Sequence, residues 1–206
     1  GKKLSLYLKK KNVEKINDLL WNLPYSFTDR SEVATLNRLE VGKIFTIKVK
    51  VLKYNFPRIR NLPNRVFCKD DFGEIDLIFF NSREGYIKKI LPLNEWVAVS
   101  GKINFFRNKY QITNPTYVEK INQIELVNKI IPKYSLTEGL SEKIYTKIID
   151  RVFIKMPEIE EWHDRKFIKL MNFLSWKDSI KKLHNSQIEK DLNSNYLKRL
   201  AYDEIF

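Results

Sequence analysis

A single cysteine, Cys68, leaves this sequence without an internal disulfide framework or a CxxC-type zinc site. A reducing compartment is the default that follows, and a cytoplasmic protein is expected. Only two histidines occur, His163 and His184, each expected on a helix surface and too isolated to hold a metal. No GxxxxGK[ST] stretch is present to cradle a nucleotide phosphate. No Ser/His/Asp or Cys/His set offers a nucleophile. No apolar run approaches the roughly 18 to 20 residues of a membrane helix, and the basic N-terminus is not followed by the apolar core of a signal peptide. Six glycines and seven prolines are too few for a low-complexity linker. Catalysis, a bound cofactor and a membrane partner are therefore not expected of this segment.

What is present is positive charge. The 206 residues carry 38 lysines and arginines against 25 acidic residues, a formal charge of +13. Such a balance favours a polyanionic partner, nucleic acid first. Coding bias towards lysine and asparagine is the competing source of that charge. A hydrophobic fraction of 43% and an aromatic fraction of 13% belong to a chain with a packed core, one or two domains long. The sequence reads as a piece of something larger, since it opens on Gly1 and stops within the helical pattern of "RLAYDEIF".

Residues 1–23 hold two helical patterns: Leu4 and Leu8 share a face, then Ile16, Leu19, Leu20 and Leu23 follow the helical period until Pro24. After Gly42 the period becomes two. In "KIFTIKVKV" the residues Phe45, Ile47, Val49 and Val51 alternate with Thr46, Lys48 and Lys50, as in a half-buried strand. "NFPRIRNLPNR", residues 55–65, reads as a mobile basic loop. "VFCKDDFGEIDLIFF" reads as two strands about a turn at Asp70–Gly73, with the glycine expected at positive φ. "REGYIKKIL" is a short helix or turn, and a second hairpin turns at Arg107 and Asn108.

Five short strands with one helical insertion after the third predict an α+β chain centred on an OB-fold-like Greek-key barrel, although an SH3-like barrel shares the strand count. Beyond it, Ile144, Ile148, Ile149 and Val152 line one helix, while Trp162, Phe167 and Met171 mark a second. "SWKD" caps a third, bearing Ile180 and Leu183, and residues 187–206 form a last. The expected divisions are a helical segment and connection over 1–41, the barrel over 42–122 and a helical linker over 123–206.

The adjacent phenylalanines of "IDLIFFN" cannot share one face of a strand. Phase places Phe79 in the core with Ile75 and Leu77, and leaves Phe80 outward with Glu74, Asp76 and Ile78. An outward phenylalanine suits stacking on bases, worth about 1 to 3 kcal/mol each; packing beneath the next helix is the alternative. The same logic puts Phe105 inward and Phe106 against a hairpin tip. Arg58, Arg60, Arg65, Arg83, Lys88, Lys89, Arg107 and Lys109 are the candidate phosphate contacts, provided that loops at one end of the barrel gather them. A solvated polar face is the competing role. Asp70, Asp71, Glu74 and Asp76 crowd one turn, where a solvated hairpin is favoured over a Mg²⁺ site.

Four stretches then resemble, in order, the N-terminal wedge region of the RecG family of bacterial ATP-dependent DNA helicases: "INDLLWNLPYSFTDRS", "FFN" with "YIKKIL", "IIPKYSLTEGLSEKIYTKII" and "LKRLAYDEIF". The resemblance implies a wedge that binds replication forks and Holliday junctions in DNA repair and recombination. By position, Phe80 matches the family's stacking phenylalanine and Tyr86 a second stacking aromatic, although "SREG" lengthens the spacer between Asn81 and Tyr86. ATP and Mg²⁺ belong to the family's motor, whose motifs are expected beyond residue 206, so this segment alone is expected neither to hydrolyse ATP nor to unwind. The expected partners are branched DNA and single-strand-binding protein, with the chain a monomer near the nucleoid. The rival function is a protein-interaction module recruiting a partner at the fork.

Overall fold

The computed structural model describes residues 2–59, 61–185 and 194–205. Two compact units emerge: Asp29 to Ile130 forms one, and the segments on either side of it combine into the other. The expected divisions at 41/42 and 122/123 both fall inside the first unit.

The described elements begin with helices α1 (Lys2–Lys10) and α2 (Ile16–Trp21) and strands β1 (Ser26–Thr28) and β2 (Val33–Ala34). Strands β3 (Ile44–Asn55), β4 (Asn64–Lys69) and β5 (Glu74–Phe79) lead to helix α3 (Glu84–Ile90). Strands β6 (Trp96–Phe106), β7 (Lys109–Thr113), β8 (Tyr117–Lys120) and β9 (Ile131–Lys133) follow. Helices α4 (Glu142–Lys155), α5 (Arg165–Leu170), α6 (Trp176–Asn185) and α7 (Asn195–Ile205) complete the series. The part of the expected last helix before Ser194 lies outside the described residues. Among the described residues no helix is long and apolar enough to cross a membrane.

In the first unit β3 pairs with both β4 and β6, which closes the order β3-β4-β5-β7-β6 into a five-stranded barrel. Its β5–β7 pair is parallel and the other barrel pairs are antiparallel. With α3 inserted between the third and fourth barrel strands, this is OB-fold topology. Strands β3 and β6 are not short, at 12 and 11 residues. Length is what lets β3 serve two neighbours: its first half pairs with β6, its second with β4, and a register shift between Val51 and Lys53 bends it between them. Phe45, Ile47, Val49 and Val51 point into the core with Ile75, Leu77 and Phe79.

Two turns show how local chemistry set the hairpins. Gly73 is not at positive φ, contrary to expectation; among the described glycines only Gly42 and Gly139 are. The Asp70 carboxylate fixes the turn instead, accepting the N–H groups of Phe72 and Gly73 at 2.8 and 2.9 Å and that of Leu36 at 2.8 Å. At the other hairpin Arg107 and Asn108 both adopt left-handed backbone, φ 49° and 59°, the geometry that matches strand twist in a two-residue turn.

The second unit joins the chain's two ends through the antiparallel β1–β9 pair and one apolar core, in which Leu19 and Leu20 meet Tyr145, Ile149, Phe153 and Leu200. The buried face of α4 is centred on Tyr145, Ile149 and Phe153, and Ile144 is exposed. The two aromatic rings bury more surface than Ile144 would, so the face turns towards them. Ser175 caps α6 as its spacing predicts, its hydroxyl accepting the Asp178 N–H at 3.0 Å. Trp162 precedes α5, whose N-cap is Asp164. In "TEGL", Gly139 combines φ +89° with a ring overhead: a Cβ there would lie 2.5 Å from Tyr7.

Neither histidine sits on a helix surface. His163 precedes α5 and its Nε2 lies 2.7 Å from Asp203 Oδ1. His184 is fully buried, because residues 180 and 184 share the apolar face of α6. Its Nε2 donates to the Leu20 carbonyl at 2.8 Å, which leaves Nδ1 to accept from the Tyr134 hydroxyl at 2.9 Å. Burial lowers its pKa, and the bond to Leu20 only partly offsets this. The unfolded chain therefore takes up a proton below roughly pH 6.5 that the folded chain refuses. Stability is expected to fall as pH drops from 7 towards 5, read as a declining urea midpoint. A His184→Gln variant, less stable at pH 7, should lose most of that decline; equal declines would remove His184 as the cause.

Candidate nucleic-acid interface

Strand register decides which candidate residues meet. Asn64 lies opposite Phe79, so the β3–β4 loop opens beside Phe80, whereas Lys69 opposite Glu74 puts the Asp70–Gly73 turn at the other end. β7 runs parallel to β5, bringing Asn114 to Phe80: its N–H donates to the Ile78 carbonyl at 2.7 Å and its side-chain oxygen accepts the Phe80 N–H at 2.9 Å. Asn114 and Asn81 both adopt positive φ, 45° and 56°, which ends the two strands together. Phe80 is held by its backbone while its side chain stays 45% exposed. Phe79 is buried, as strand phase predicts. Asp76 and Ile78 share Phe80's face yet are also buried.

After Phe80 the chain turns into α3, anchored by Asn64 Nδ2 donating to the Ser82 carbonyl at 2.7 Å and by the buried Ile87. Tyr86 projects from the same helix, more exposed than Phe80. Arg83 and Lys89 flank it, and Arg58 lies in the β3–β4 loop; all three are exposed with no acidic partner among the described residues. Arg60 falls outside the described residues.

The other candidates are engaged or displaced. Arg65 stands on β4 rather than in the loop, donating from Nη1 to Asp76 Oδ2 at 3.1 Å. Burial raises the Asp76 pKa, and Arg65 and Lys109 pull it back only partly. Lys88 is 3.7 Å from Glu84 and lies over the Phe56 ring, 5.3 Å from its centroid. Arg107 and Lys109 are at the opposite end of β5 from Phe80, Lys109 level with Glu74 and so about 20 Å away at 3.4 Å per residue. There Arg107 covers the exposed Phe106 at 5.3 Å and Lys109 pairs with Glu74 at 3.3 Å. Phe105, phased inward, is half exposed because it passes the barrel rim, edge-on to Tyr110. One rim therefore does not gather all the cations.

The stacked pair of Tyr54 and Phe56, 5.2 Å between centroids, borders the Phe80 end and was missed in the sequence, although its i, i+2 spacing on a strand is legible there. Cys68 is no nucleophile: burial, with the Asp76 charge adding to it, pushes its thiol up to about 12. Three of the four turn carboxylates are spent on other partners, Asp70 on backbone N–H groups, Glu74 on Lys109 and Asp76 on Arg65, and Asp71 is exposed.

The family model for the RecG wedge domain matches residues 1–156. The chain belongs to that family. The ATP-dependent DNA helicase RecG of Thermotoga maritima is 27% identical over 203 residues, 97% of this chain and 26% of that protein. The RecG of Haemophilus influenzae is 27% identical over 164 residues, 78% of this chain and 23% of its own length. This wedge domain thus spans about a quarter of the curated relatives it matches. A solved structure of RecG bound to a three-way DNA junction superimposes on the whole chain with a TM-score of 0.80 and 26% identity, and 28% of that chain is covered.

Proposed function

We propose that this wedge domain binds branched DNA, forks and Holliday junctions, and holds their arms apart for a RecG-type motor. The observation that supports this most is the match over the full chain to a RecG solved with a three-way junction. Phe80 stacks on the terminal base pair at the branch, with Tyr86 as the second aromatic surface. Arg58, Arg60, Arg83 and Lys89 hold phosphates of the arm next to it, and Arg107 and Lys109 serve the far end of the barrel. Arg65 and Lys88 act by positioning, since each is already engaged by a neighbour. None of these contacts reads base edges, so binding depends on structure rather than sequence. ATP hydrolysis and translocation belong to the rest of the helicase.

The test is a titration of this chain against a three-way fork, linear duplex and single strand at two salt concentrations. Tighter binding of the fork is expected, with log affinity falling by about 0.9 per duplex phosphate neutralised for each unit of log salt. Equal, salt-sensitive binding to all three would overturn fork selection by this chain. Fork-independent capture of single-strand-binding protein that ignores salt would favour the protein-interaction role instead.

A further inference from the structure

Away from the Phe80 end, the outward face where β6, β3 and β4 pair carries an unneutralised cationic row. Lys48, Lys50 and Lys53 of β3 and Lys69 of β4 all point away from the core residues Val49, Val51 and Cys68. Lys50 lies directly opposite Lys69 on one side and Trp96 on the other, and Lys53 lies opposite Phe67 with Nζ 4.7 Å from its ring centroid. Like charges directly opposite across a strand pair disfavour the fold. The nearest acid in register, Glu74 opposite Lys69, is taken by Lys109. Among the described residues none of the four lysines has an acidic partner. Trp96, 41% exposed at the head of β6, supplies a flat apolar surface beside them.

We propose that this face is a second nucleic-acid site, a track for single-stranded DNA separate from the stacking end. Four cations without an acidic partner on one face favour an anionic partner. The exposed indole among them selects a partner with free bases, since a duplex keeps its bases stacked inside while a single strand offers each base to an aromatic ring. A protein partner fits less well, because lysine is depleted at protein interfaces. The track rests on the reading that this chain binds DNA, and would hold one strand once the wedge has parted it.

The probe is oligothymidylate titrated into the full chain, followed by tryptophan fluorescence and by anisotropy of a labelled oligonucleotide. Trp96 is the one tryptophan of the barrel unit, and Trp21, Trp162 and Trp176 lie in the other. Quenching is expected, and Trp96→Phe should remove most of it. The pair Lys50→Gln with Lys69→Gln should weaken oligonucleotide binding about tenfold and reduce the salt slope by about 0.7 for each phosphate no longer neutralised. Its melting temperature should hold or rise, because a repulsive pair has gone. Oligonucleotide affinity unchanged in that variant, or no binding by the parent chain, overturns the track. Fork binding is read separately on the parent chain: if it binds fork and linear duplex equally while Lys50 and Lys69 still govern the oligonucleotide, the fork reading falls and the track stands.

Discussion

Replacing Phe80 with alanine is expected to weaken binding to a three-way fork by about 1 to 3 kcal/mol, the worth of one aromatic platform under a base, and to leave the fold intact. The structure separates the two effects. The Phe80 backbone is held by Asn114 through its N–H, an interaction that alanine retains. Nearly half of the ring faces solvent, so its loss opens no cavity. The next residue back is the control: Phe79 is buried in the barrel core, so its truncation should show as a lower melting temperature. Fork affinity from a titration, beside a thermal melt, is the measurement. A Phe80→Ala chain that binds the fork as well as the parent would remove stacking from the mechanism. One that melts far below it would make Phe80 a packing residue.

The largest loss of stability is expected from Arg199→Met. Arg199 is fully buried in α7; Nη1 and Nη2 each donate to Glu161 at 2.9 Å, and Nε donates to Asp203 Oδ2 at 2.8 Å. Its guanidinium also lies 5.2 Å from the Trp162 ring centroid. Burial of the guanidinium opposes its charge, but its bonds to Glu161 and Asp203 outweigh this and raise its pKa. Methionine fills much of the space yet takes the guanidinium from two carboxylates, leaving Asp203, its side chain only 5% exposed, with His163 alone, and Glu161 with the His163 N–H. Removing one partner of such a buried network costs about 3 to 5 kcal/mol. A guanidinium chloride melt reads this directly, and a loss below about 1 kcal/mol would mean that water screens the network. Acid should act in the same direction. Burial tends to raise the Glu161 pKa, but the Arg199 bonds and the His163 N–H hold it below the usual carboxylate value. Its contribution is present above the unfolded pKa near 4.3 and is lost as pH falls through the lower folded value.

Much of this molecule was legible as a pattern. Alternation in β3 gave its inward face residue by residue, and the same phasing assigned Phe79 inside and Phe80 outside. The Ser175 cap and the Arg107–Asn108 turn follow from local chemistry, which needs no knowledge of distant residues. Misreadings arose where distant neighbours decide. His184 looked like a surface residue because nothing local tells that Leu20 and Tyr134 wait with an acceptor and a hydroxyl. The Asp70 turn was assigned to glycine φ because one of its partners, the Leu36 N–H, lies far back in the chain.

The sequence by itself determined the strand periods, the α+β class, the barrel and the outward phenylalanine, because side-chain period and turn chemistry act over a few residues. Tertiary structure alone decided which charges stand together. Register across β4, β5 and β7 sent Arg107 and Lys109 to the far end from Phe80, and pairing across β6, β3 and β4 set Lys50 between Trp96 and Lys69. Electrostatic attraction depends on distance in space, and sequence separation carries almost none of that distance once strands pair.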